Sequence, residues 1–129
     1  MSTKCVLCVD DEPQVVNSIS RLLKLAGYTV YSTSLESAAF ELIELGSPEA
    51  ILLDLSMPSI SGFEILNKLK KSGFSESHPV IVVSGHDDKD TRDRARALGA
   101  VDFISKPFEP SILLKVLKKH IGESMGLES

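Results

Sequence analysis

The segment "ILLDLSMPSISG", residues 51–62, decides the fold prediction. Three apolar residues run directly into a carboxylate, Asp54, and a loop that contains Pro58 and Gly62 follows at once. A short apolar run without alternation is typical of a strand covered on both faces, as the strands of parallel sheets are. The segment therefore predicts a buried central strand over 50–55 that ends at an acidic side chain.

Four further apolar segments are spaced so that each leaves room for a helix before the next. Their ranges are 4–9, 28–33, 79–85 and 100–105. Apolar residues recur at helical spacing after four of these five segments, and a helix through Leu98 is predicted after the segment 79–85. The predicted helix caps are Ser34 and either Asp87 or Asp88. Five consecutive strand–helix units with right-handed crossovers predict an α/β fold, in which a doubly wound, parallel five-stranded sheet lies between two helical layers.

The composition is that of an ordinary globular chain of 129 residues, with 43% hydrophobic and 25% charged residues. We expect one domain over 1–122, followed by a polar tail or the start of a linker over 123–129. The net charge of −4 disfavours nucleic-acid binding by the chain itself. Because long apolar runs are absent and acids occur near the start, we expect a cytoplasmic protein with no membrane segment.

Two cysteines, Cys5 and Cys8, form a C-x-x-C pattern inside the first predicted strand. Such a pattern can indicate a redox or metal site. Strand residues three apart point to opposite faces of the sheet, however, so these thiols could neither pair nor share a ligand. We therefore interpret both cysteines as core residues.

Polar residues gather at the carboxyl ends of four predicted strands. Ligands of an open α/β sheet bind at this edge, where the strand order reverses. A single acid before a helix commonly serves as a structural charge, but four strand ends that agree indicate one site. The residues after strands 1, 3, 4 and 5 are Asp10, Asp11 and Glu12; Asp54 and Ser56; Ser84 and Gly85; and Ser105, Lys106 and Pro107.

Three aspartates at one edge present an electrostatic problem. Two unit charges about 4 Å apart repel by about 4 kcal/mol at an effective dielectric of about 20, and Lys106 alone cannot offset three of them. Carboxylate oxygens are ligands that Mg²⁺ prefers. The cation and Lys106 would together neutralise a phosphoryl group, for which Asp54 would be the nucleophile, as in aspartyl-phosphate chemistry.

These segments resemble the receiver domain of two-component response regulators, of the chemotaxis-receiver type, over nearly the whole chain. The matching segments are "VDDE" (9–12), "LLDLSMPSISG" (52–62), "VVSG" (82–85) and "DFISKPF" (102–108). The resemblance implies a flavodoxin-like fold with strand order 2-1-3-4-5 and a cis bond between Lys106 and Pro107. It also implies Mg²⁺-dependent self-phosphorylation and slow self-dephosphorylation in a signalling module, not a metabolic enzyme.

The resemblance implies a role for each matching residue. Asp54 is the phosphoacceptor, and Lys106 pairs with the phosphoryl group. The implied ligands of Mg²⁺, for which Mn²⁺ could substitute, are Asp10, Asp11, Asp54 and the backbone carbonyl of Ser56. Ser84 is the switch hydroxyl and Phe103 the switch aromatic, although Phe103 is equally well explained as a packing residue of its strand.

Two positions tune the lifetime of the phosphoryl group in the resembled family, and they correspond here to Ser56 and His86. Ser56 is small and would leave the site open to water. His86 changes charge near neutral pH and could orient water or shield the phosphoryl group, or it could be only an exposed loop residue. We expect His78 and His120 to lie on the surface.

The implied function is transfer of a phosphoryl group to Asp54 from a phosphohistidine on a histidine kinase or histidine phosphotransfer protein. An output domain or downstream protein would read the change at the face formed by helix 4, strand 5 and helix 5, which could also support a phosphorylation-dependent homodimer. Two other classes stay open. A phosphatase with an aspartyl-phosphate intermediate usually needs a second acid where Ser56 stands, and a constitutive interaction module would not bind Mg²⁺.

Overall fold

Five parallel strands form the main sheet of the computed structural model, which describes residues 3–57 and 60–124. The strands are β1 (Cys5–Val9), β2 (Thr29–Thr33), β3 (Ala50–Leu53), β4 (Val80–Ser84) and β5 (Asp102–Ser105). They lie in the order β2-β1-β3-β4-β5, which confirms the predicted sheet. Each strand is shorter than its predicted range, and β3 ends at Leu53, so Asp54 lies just beyond it.

Helices cover both faces of the sheet. The five longer helices within the described residues are α1 (Pro13–Leu25), α2 (Glu36–Gly46), α3 (Gly62–Ser72), α4 (Lys89–Ala97) and α5 (Pro110–Ile121). A short helix, Phe74–Ser77, follows α3, and the two-residue strands Ser56–Met57 and Ile60–Ser61 pair antiparallel in the loop after β3. In the described ranges, no helix combines the length and the apolar composition that crossing a membrane requires.

The core consists of two clusters, one on each face of the sheet. β3 contributes to both, since Ile51 and Leu53 pack in one cluster and Ala50 and Leu52 in the other, each at most 1% exposed. The first cluster takes its buried helical residues from α2, α3 and α4, and the second takes them from α1 and α5. This double burial confirms that the apolar run before Asp54 is a central strand.

Gly62 begins α3 at a place where no side chain fits. A Cβ atom on Gly62 would lie 2.4 Å from the Cα of Leu55 and 2.6 Å from the carbonyl oxygen of Asp54. Both neighbours are backbone atoms, so no side-chain rotation could relieve the clash. The glycine therefore lets α3 start directly against the segment that carries Asp54.

The two predicted helix caps have different outcomes. Asp88 caps α4, and its side chain accepts a hydrogen bond from the backbone N–H of Thr91 at 3.1 Å. The cap residue of α2 is Leu35, whose N–H donates to the Thr33 hydroxyl at 3.1 Å. The prediction for Ser34 is wrong, since α2 begins one residue later than the helical pattern suggests.

Two histidines predicted to lie on the surface are half-buried and have defined partners. His120, in α5, is 18% exposed, and its Nε2 lies 3.0 Å from Asp102 Oδ2. His78 Nδ1 lies 2.6 Å from the carbonyl oxygen of Pro48. The prediction that both histidines lie on the surface is therefore corrected. Both lie at the amino edge of the sheet, meaning the side at which the parallel strands begin, where helix ends contact the starts of strands.

Both cysteines are free thiols in β1, and Cys8 is buried in the core. Burial raises the pKa of Cys8 to about 12, and burial together with the charge of Glu49 raises the pKa of Cys5 to about 11. Both thiols are therefore protonated at neutral pH, which favours a structural role over nucleophilic chemistry.

The described part of the predicted tail is anchored. Ser124 is buried, and its hydroxyl donates to the carbonyl oxygen of Gly27 at 2.6 Å and accepts from the N–H of Lys4 at 2.8 Å. The predicted boundary after 122 stays a prediction, and residues 125–129 of the tail lie outside the described residues.

Candidate functional site

Backbone hydrogen bonds that continue the parallel ladders bring the acidic strand ends together. The N–H of Asp54 donates to the carbonyl oxygen of Val9 at 2.9 Å, which ties the residue after β3 to the last residue of β1. The N–H of Lys106 donates to the carbonyl oxygen of Ser84 at 2.9 Å. The residues that follow β3 and β5 are therefore placed by the sheet itself, and the bond between Lys106 and Pro107 is cis, as the family resemblance implied.

A single ammonium group lies among three carboxylates at this edge. Lys106 Nζ is 2.9 Å from Asp10 Oδ2, 2.9 Å from Glu12 Oε1 and 3.5 Å from Asp54 Oδ2. The side chains of Asp10 and Asp54 are each 3% exposed, whereas that of Glu12 is 50% exposed. The site thus holds two buried negative charges, with Lys106 as their shared counter-ion.

The environment of Asp54 acts on its ionisation in two directions. Burial raises the pKa of the Asp54 carboxyl, although the N–H of Ser56, which donates to Oδ1 at 3.1 Å, and the charge of Lys106 oppose the rise. Burial alone would lower the pKa of Lys106, but hydrogen bonds to Asp10 and Glu12 outweigh it, so the pKa of Lys106 is raised. Lys106 is therefore a permanent cation, and Asp54 is a weakly solvated carboxylate with both oxygens oriented.

The two predicted switch residues lie on neighbouring strands, Ser84 at the carboxyl end of β4 and Phe103 near the start of β5, and each has partners outside the carboxylate cluster. Ser84 is fully buried, and its Oγ accepts a hydrogen bond from the N–H of His86 at 3.2 Å. Phe103 packs, partly buried, against the core cluster on its face of the sheet, and the guanidinium of Arg92 lies 4.9 Å from its ring centroid. The position of Phe103 agrees with the packing role that the sequence allowed for it, and the switch roles of Ser84 and Phe103 stay predictions.

Oxygen ligands suitable for a hard cation occur together in this site. Carboxylate oxygens of Asp10, Glu12 and Asp54 all lie within 4.8 Å of one another. Such a donor set fits Mg²⁺ better than a softer metal, and a bound cation would compete with Lys106 for the carboxylates. Asp11 is half-buried and outside this group, so its ligand role and that of the Ser56 carbonyl stay predictions.

Glu12 and Arg92 received no role from the sequence, yet both contact site residues. The N–H of Glu12 donates to Asp10 Oδ1 at 2.9 Å, and this short turn directs the Glu12 carboxylate back toward Lys106. The sequence feature that could have indicated the contact of Glu12 with Lys106 is its position two residues after Asp10, in the loop that follows β1. No sequence signal points to Arg92, because its contact depends on how α4 is rotated against β5.

An open cleft of about 710 Å³ reaches the buried Asp54 carboxylate from solvent. One side of the cleft is formed by the start of α1, and another by the segment that leads into α5. His86 is exposed and lines the same cleft, and its role in tuning the lifetime of the phosphoryl group stays a prediction. The residues of the site that line the cleft are Glu12, Asp54, Ser56, Gly85, His86, Lys106 and Pro107.

Comparison with known proteins gives a consistent family. A family model described as the response regulator receiver domain matches residues 6–118. The phosphate regulon transcriptional regulatory protein PhoB of Pseudomonas aeruginosa is 33% identical over 118 residues, which is 92% of this chain and 52% of PhoB. The cell cycle response regulator CtrA of Brucella ovis is 31% identical over 121 residues, 94% of this chain and 51% of CtrA. The chain thus spans about half the length of these curated relatives.

Solved structures agree with the sequence relatives. The chemotaxis protein CheY4 of Vibrio cholerae superposes with a TM-score of 0.86 at 26% identity, over 93% of this chain and 100% of that one. A CheY-like receiver domain protein of Methanospirillum hungatei gives a TM-score of 0.83 at 28% identity, over 92% and 93% of the two chains. These likenesses confirm the flavodoxin-like fold that the motifs implied.

Proposed function

Because this chain belongs to the response regulator receiver domain family, we propose that it is a phosphorylation-dependent switch whose phosphoacceptor is Asp54. The phosphoryl donor is a phosphohistidine on a histidine kinase or on a histidine phosphotransfer protein. The module works in signalling, in the cytoplasm, and not as a metabolic enzyme with turnover of a small substrate.

The placement of the Asp54 carboxylate carries this proposal. One carboxylate oxygen, Oδ1, accepts the N–H of Ser56 at 3.1 Å, and the other, Oδ2, lies 3.5 Å from Lys106 Nζ. Although only 3% exposed, the side chain opens on the cleft. A nucleophile that is held in one orientation, and that loses little hydration when it reacts, suits in-line attack on a phosphoryl group.

The transfer step exchanges one bond to phosphorus for another. An Asp54 oxygen forms a bond to phosphorus while the phosphorus–nitrogen bond of the phosphohistidine breaks. The electron pair of that bond goes to the imidazole nitrogen, which takes up a proton from solvent water. Lys106, already an ammonium ion, needs only to turn from Glu12 to meet the added phosphoryl oxygens.

Mg²⁺, or Mn²⁺ in its place, would be held by Asp10, Asp11, Asp54 and the backbone carbonyl of Ser56, and when bound it supplies positive charge that offsets that of the phosphoryl oxygens. Glu12 lies close enough to Asp10 and Asp54 to join this set. The excess of carboxylate over ammonium charge in the site supports a divalent cation as the missing counter-charge.

The readout follows from a change of partners at the same edge. A phosphoryl group on Asp54 draws the hydroxyl of Ser84 and the ammonium of Lys106 toward it, and Phe103 moves with them. The face formed by α4, β5 and α5 changes shape and is read by an output domain, a downstream protein or a second copy of the chain.

Resetting of the switch needs only water. A water oxygen bonds to phosphorus, the phosphorus–oxygen bond to Asp54 breaks, and inorganic phosphate leaves while the carboxylate is restored. Ser56 and His86 line the cleft through which water approaches, so their side chains set the lifetime of the phosphoryl group.

Mass spectrometry after treatment with a small phosphodonor and Mg²⁺ tests the proposal. The wild-type chain should gain one phosphoryl group, and Asp54→Asn should gain none. Asp93→Asn is the matched control, because Asp93 is an exposed aspartate of α4 that pairs with Lys89 and does not line the cleft. Labelling that persists in Asp54→Asn, or that is also lost in Asp93→Asn, would overturn the assignment.

A further inference from the structure

Arg92 makes three contacts at once on the predicted readout face. Its Nε donates to the carbonyl oxygen of Asp87 at 2.9 Å, and its Nη2 donates to the hydroxyl of Ser105 at 3.0 Å. Its guanidinium carbon lies 4.9 Å from the ring centroid of Phe103. A planar guanidinium can do this because its edge carries the donors while its face stacks on an aromatic ring.

These contacts join the two segments that a phosphorylation switch has to move. Asp87 belongs to the loop that begins at Ser84, the switch hydroxyl, and Ser105 directly precedes Lys106. One side chain of α4 therefore holds both the loop after β4 and the end of β5. A shift of Ser84 toward Asp54 that carries its loop along while α4 stays in place would lengthen the bond from Arg92 to Asp87.

Apolar packing does little to fix α4. Of the residues of this helix, Lys89–Ala97, the buried one is Ala95, and the sequence "KDTRDRARA" offers no large aliphatic side chain. Helices of globular proteins usually owe their position to an apolar face. Two arginines of this helix add stacking contacts, since Arg92 lies over Phe103 and the guanidinium carbon of Arg94 lies 4.0 Å from the ring centroid of Phe63.

We propose that Arg92 is a positioning residue that holds Phe103 and the loop after β4 in the unphosphorylated arrangement. This inference rests on the function proposed for Asp54. Arg92 does not touch the reacting atoms and acts through Phe103, Asp87 and Ser105. The bonds it makes belong to the resting arrangement, so they lower the population of the arrangement that accepts and retains a phosphoryl group.

Removal of the side-chain contacts should therefore speed phosphorylation. In Arg92→Gln, the initial rate of Asp54 labelling by a small phosphodonor should rise by about threefold to tenfold, the range for losing one exposed cation–π contact and two charged hydrogen bonds present in one state only. Arg92→Lys keeps a cation near the Phe103 ring but cannot make both hydrogen bonds, to Asp87 and to Ser105, at once. Its labelling rate should therefore fall between those of Arg92→Gln and wild type.

Arg94→Gln is the matched control. Arg94 lies two residues further along the same helix, carries the same charge and stacks on Phe63 rather than on Phe103. Its loss should leave the labelling rate within about twofold of wild type. An equal rise in Arg94→Gln would overturn the proposal, because general loosening of α4 would then explain the effect. A rate for Arg92→Gln that is unchanged or lower would also overturn it.

A second readout needs no phosphodonor. With fluorophenylalanine in place of the five phenylalanines, the ¹⁹F resonance of Phe103, assigned through Phe103→Leu, should move in Arg92→Gln and stay in Arg94→Gln. An unmoved Phe103 resonance in Arg92→Gln overturns the positioning role. If the wild-type chain accepts no phosphoryl group, the function proposed for Asp54 fails, and this spectrum alone then decides whether Arg92 holds Phe103.

Discussion

Asp54 and Asp102 lie at opposite edges of the same sheet, and their surroundings shift their ionisation in opposite directions. Burial raises the pKa of Asp54, and the groups around it do not fully compensate. Burial would also raise the pKa of Asp102, but a hydrogen bond from His120 and one from the N–H of Phe103 outweigh it, so the pKa of Asp102 is lowered.

The two aspartates differ in the ratio of basic side chains to carboxylates around them. At the carboxyl edge, Lys106 is shared by three carboxylates. At the amino edge, Asp102 lies 3.0 Å from His120 and 3.9 Å from Lys119, so two basic side chains surround one acid. A carboxylate with surplus partners stabilises a fold, whereas an under-compensated cluster is poised to take up more positive charge.

Replacement of Lys106, the ammonium group shared by three carboxylates, should have the largest effect on stability and on labelling of Asp54. Lys106→Met leaves Asp10 and Asp54 buried without a counter-ion, so we expect the free energy of unfolding at pH 7 to fall by about 3 kcal/mol. Labelling of Asp54 by a small phosphodonor should fall by about 100-fold, since one charge-stabilising donor is lost. Urea titration and mass spectrometry measure the two quantities.

The amino edge provides the control for this exchange. Lys119 lies 3.9 Å from Asp102 but is 71% exposed. Lys119→Met should change the free energy of unfolding by less than about 0.5 kcal/mol and leave labelling unchanged. Equal losses of stability in the two variants would contradict the contrast between the edges.

Addition of Mg²⁺ should give the next largest effect. A ligand that binds the folded chain alone, at 100 times its dissociation constant, adds about 2.7 kcal/mol to the free energy of unfolding. We expect this gain for the wild-type chain and for Asp102→Asn, and a much smaller gain for Asp10→Asn. Urea titrations with MgCl₂, and with NaCl at matched ionic strength, measure it, and a full gain in Asp10→Asn would place the cation elsewhere.

The order of strands was expected from the family resemblance, whereas the meeting of Asp10, Asp54 and Lys106 could be predicted from the sequence for one physical reason. Parallel strands bring all their carboxyl ends to one edge, so residues that follow different strands become neighbours whatever their side chains do. Burial of β3 on both faces follows from its apolar run in the same way.

Contacts made by long side chains could not be predicted in this way. The pairing of Arg92 with Phe103 and of His120 with Asp102 depends on how α4 and α5 are rotated against β5 and on the rotamers of the side chains. Which of the neighbouring acids contacts Lys106 also depends on local backbone geometry. Glu12 reaches Lys106 through a turn closed by its own N–H on Asp10, and the periodicity of a strand does not reveal such a turn.

The smallest effect concerns pH at the amino edge. The pKa of Asp102 is lower in the folded chain than in the unfolded chain, where it is about 3.9. Its carboxylate therefore stabilises the fold above that value, and the contribution is lost as the pH falls through the lower pKa of the folded state. Asp102→Asn should cost about 1 kcal/mol at pH 7, and urea titrations should show this cost shrinking as the pH falls below the unfolded-state pKa of about 3.9.

A substitution of His120 tests which group stabilises the carboxylate of Asp102. In His120→Leu the carboxyl of Asp102 keeps its burial but loses a hydrogen bond, so its pKa should rise above that of the wild-type chain. The ¹³C shift of the Asp102 carboxyl carbon, followed from acid to neutral pH, reports this directly. An unmoved midpoint would mean that the Phe103 N–H and Lys119 suffice to hold the charge, and that His120 is not what distinguishes Asp102 from Asp54. A raised midpoint, with Asp54 labelling unchanged, would show that the two edges of the sheet use their aspartates independently.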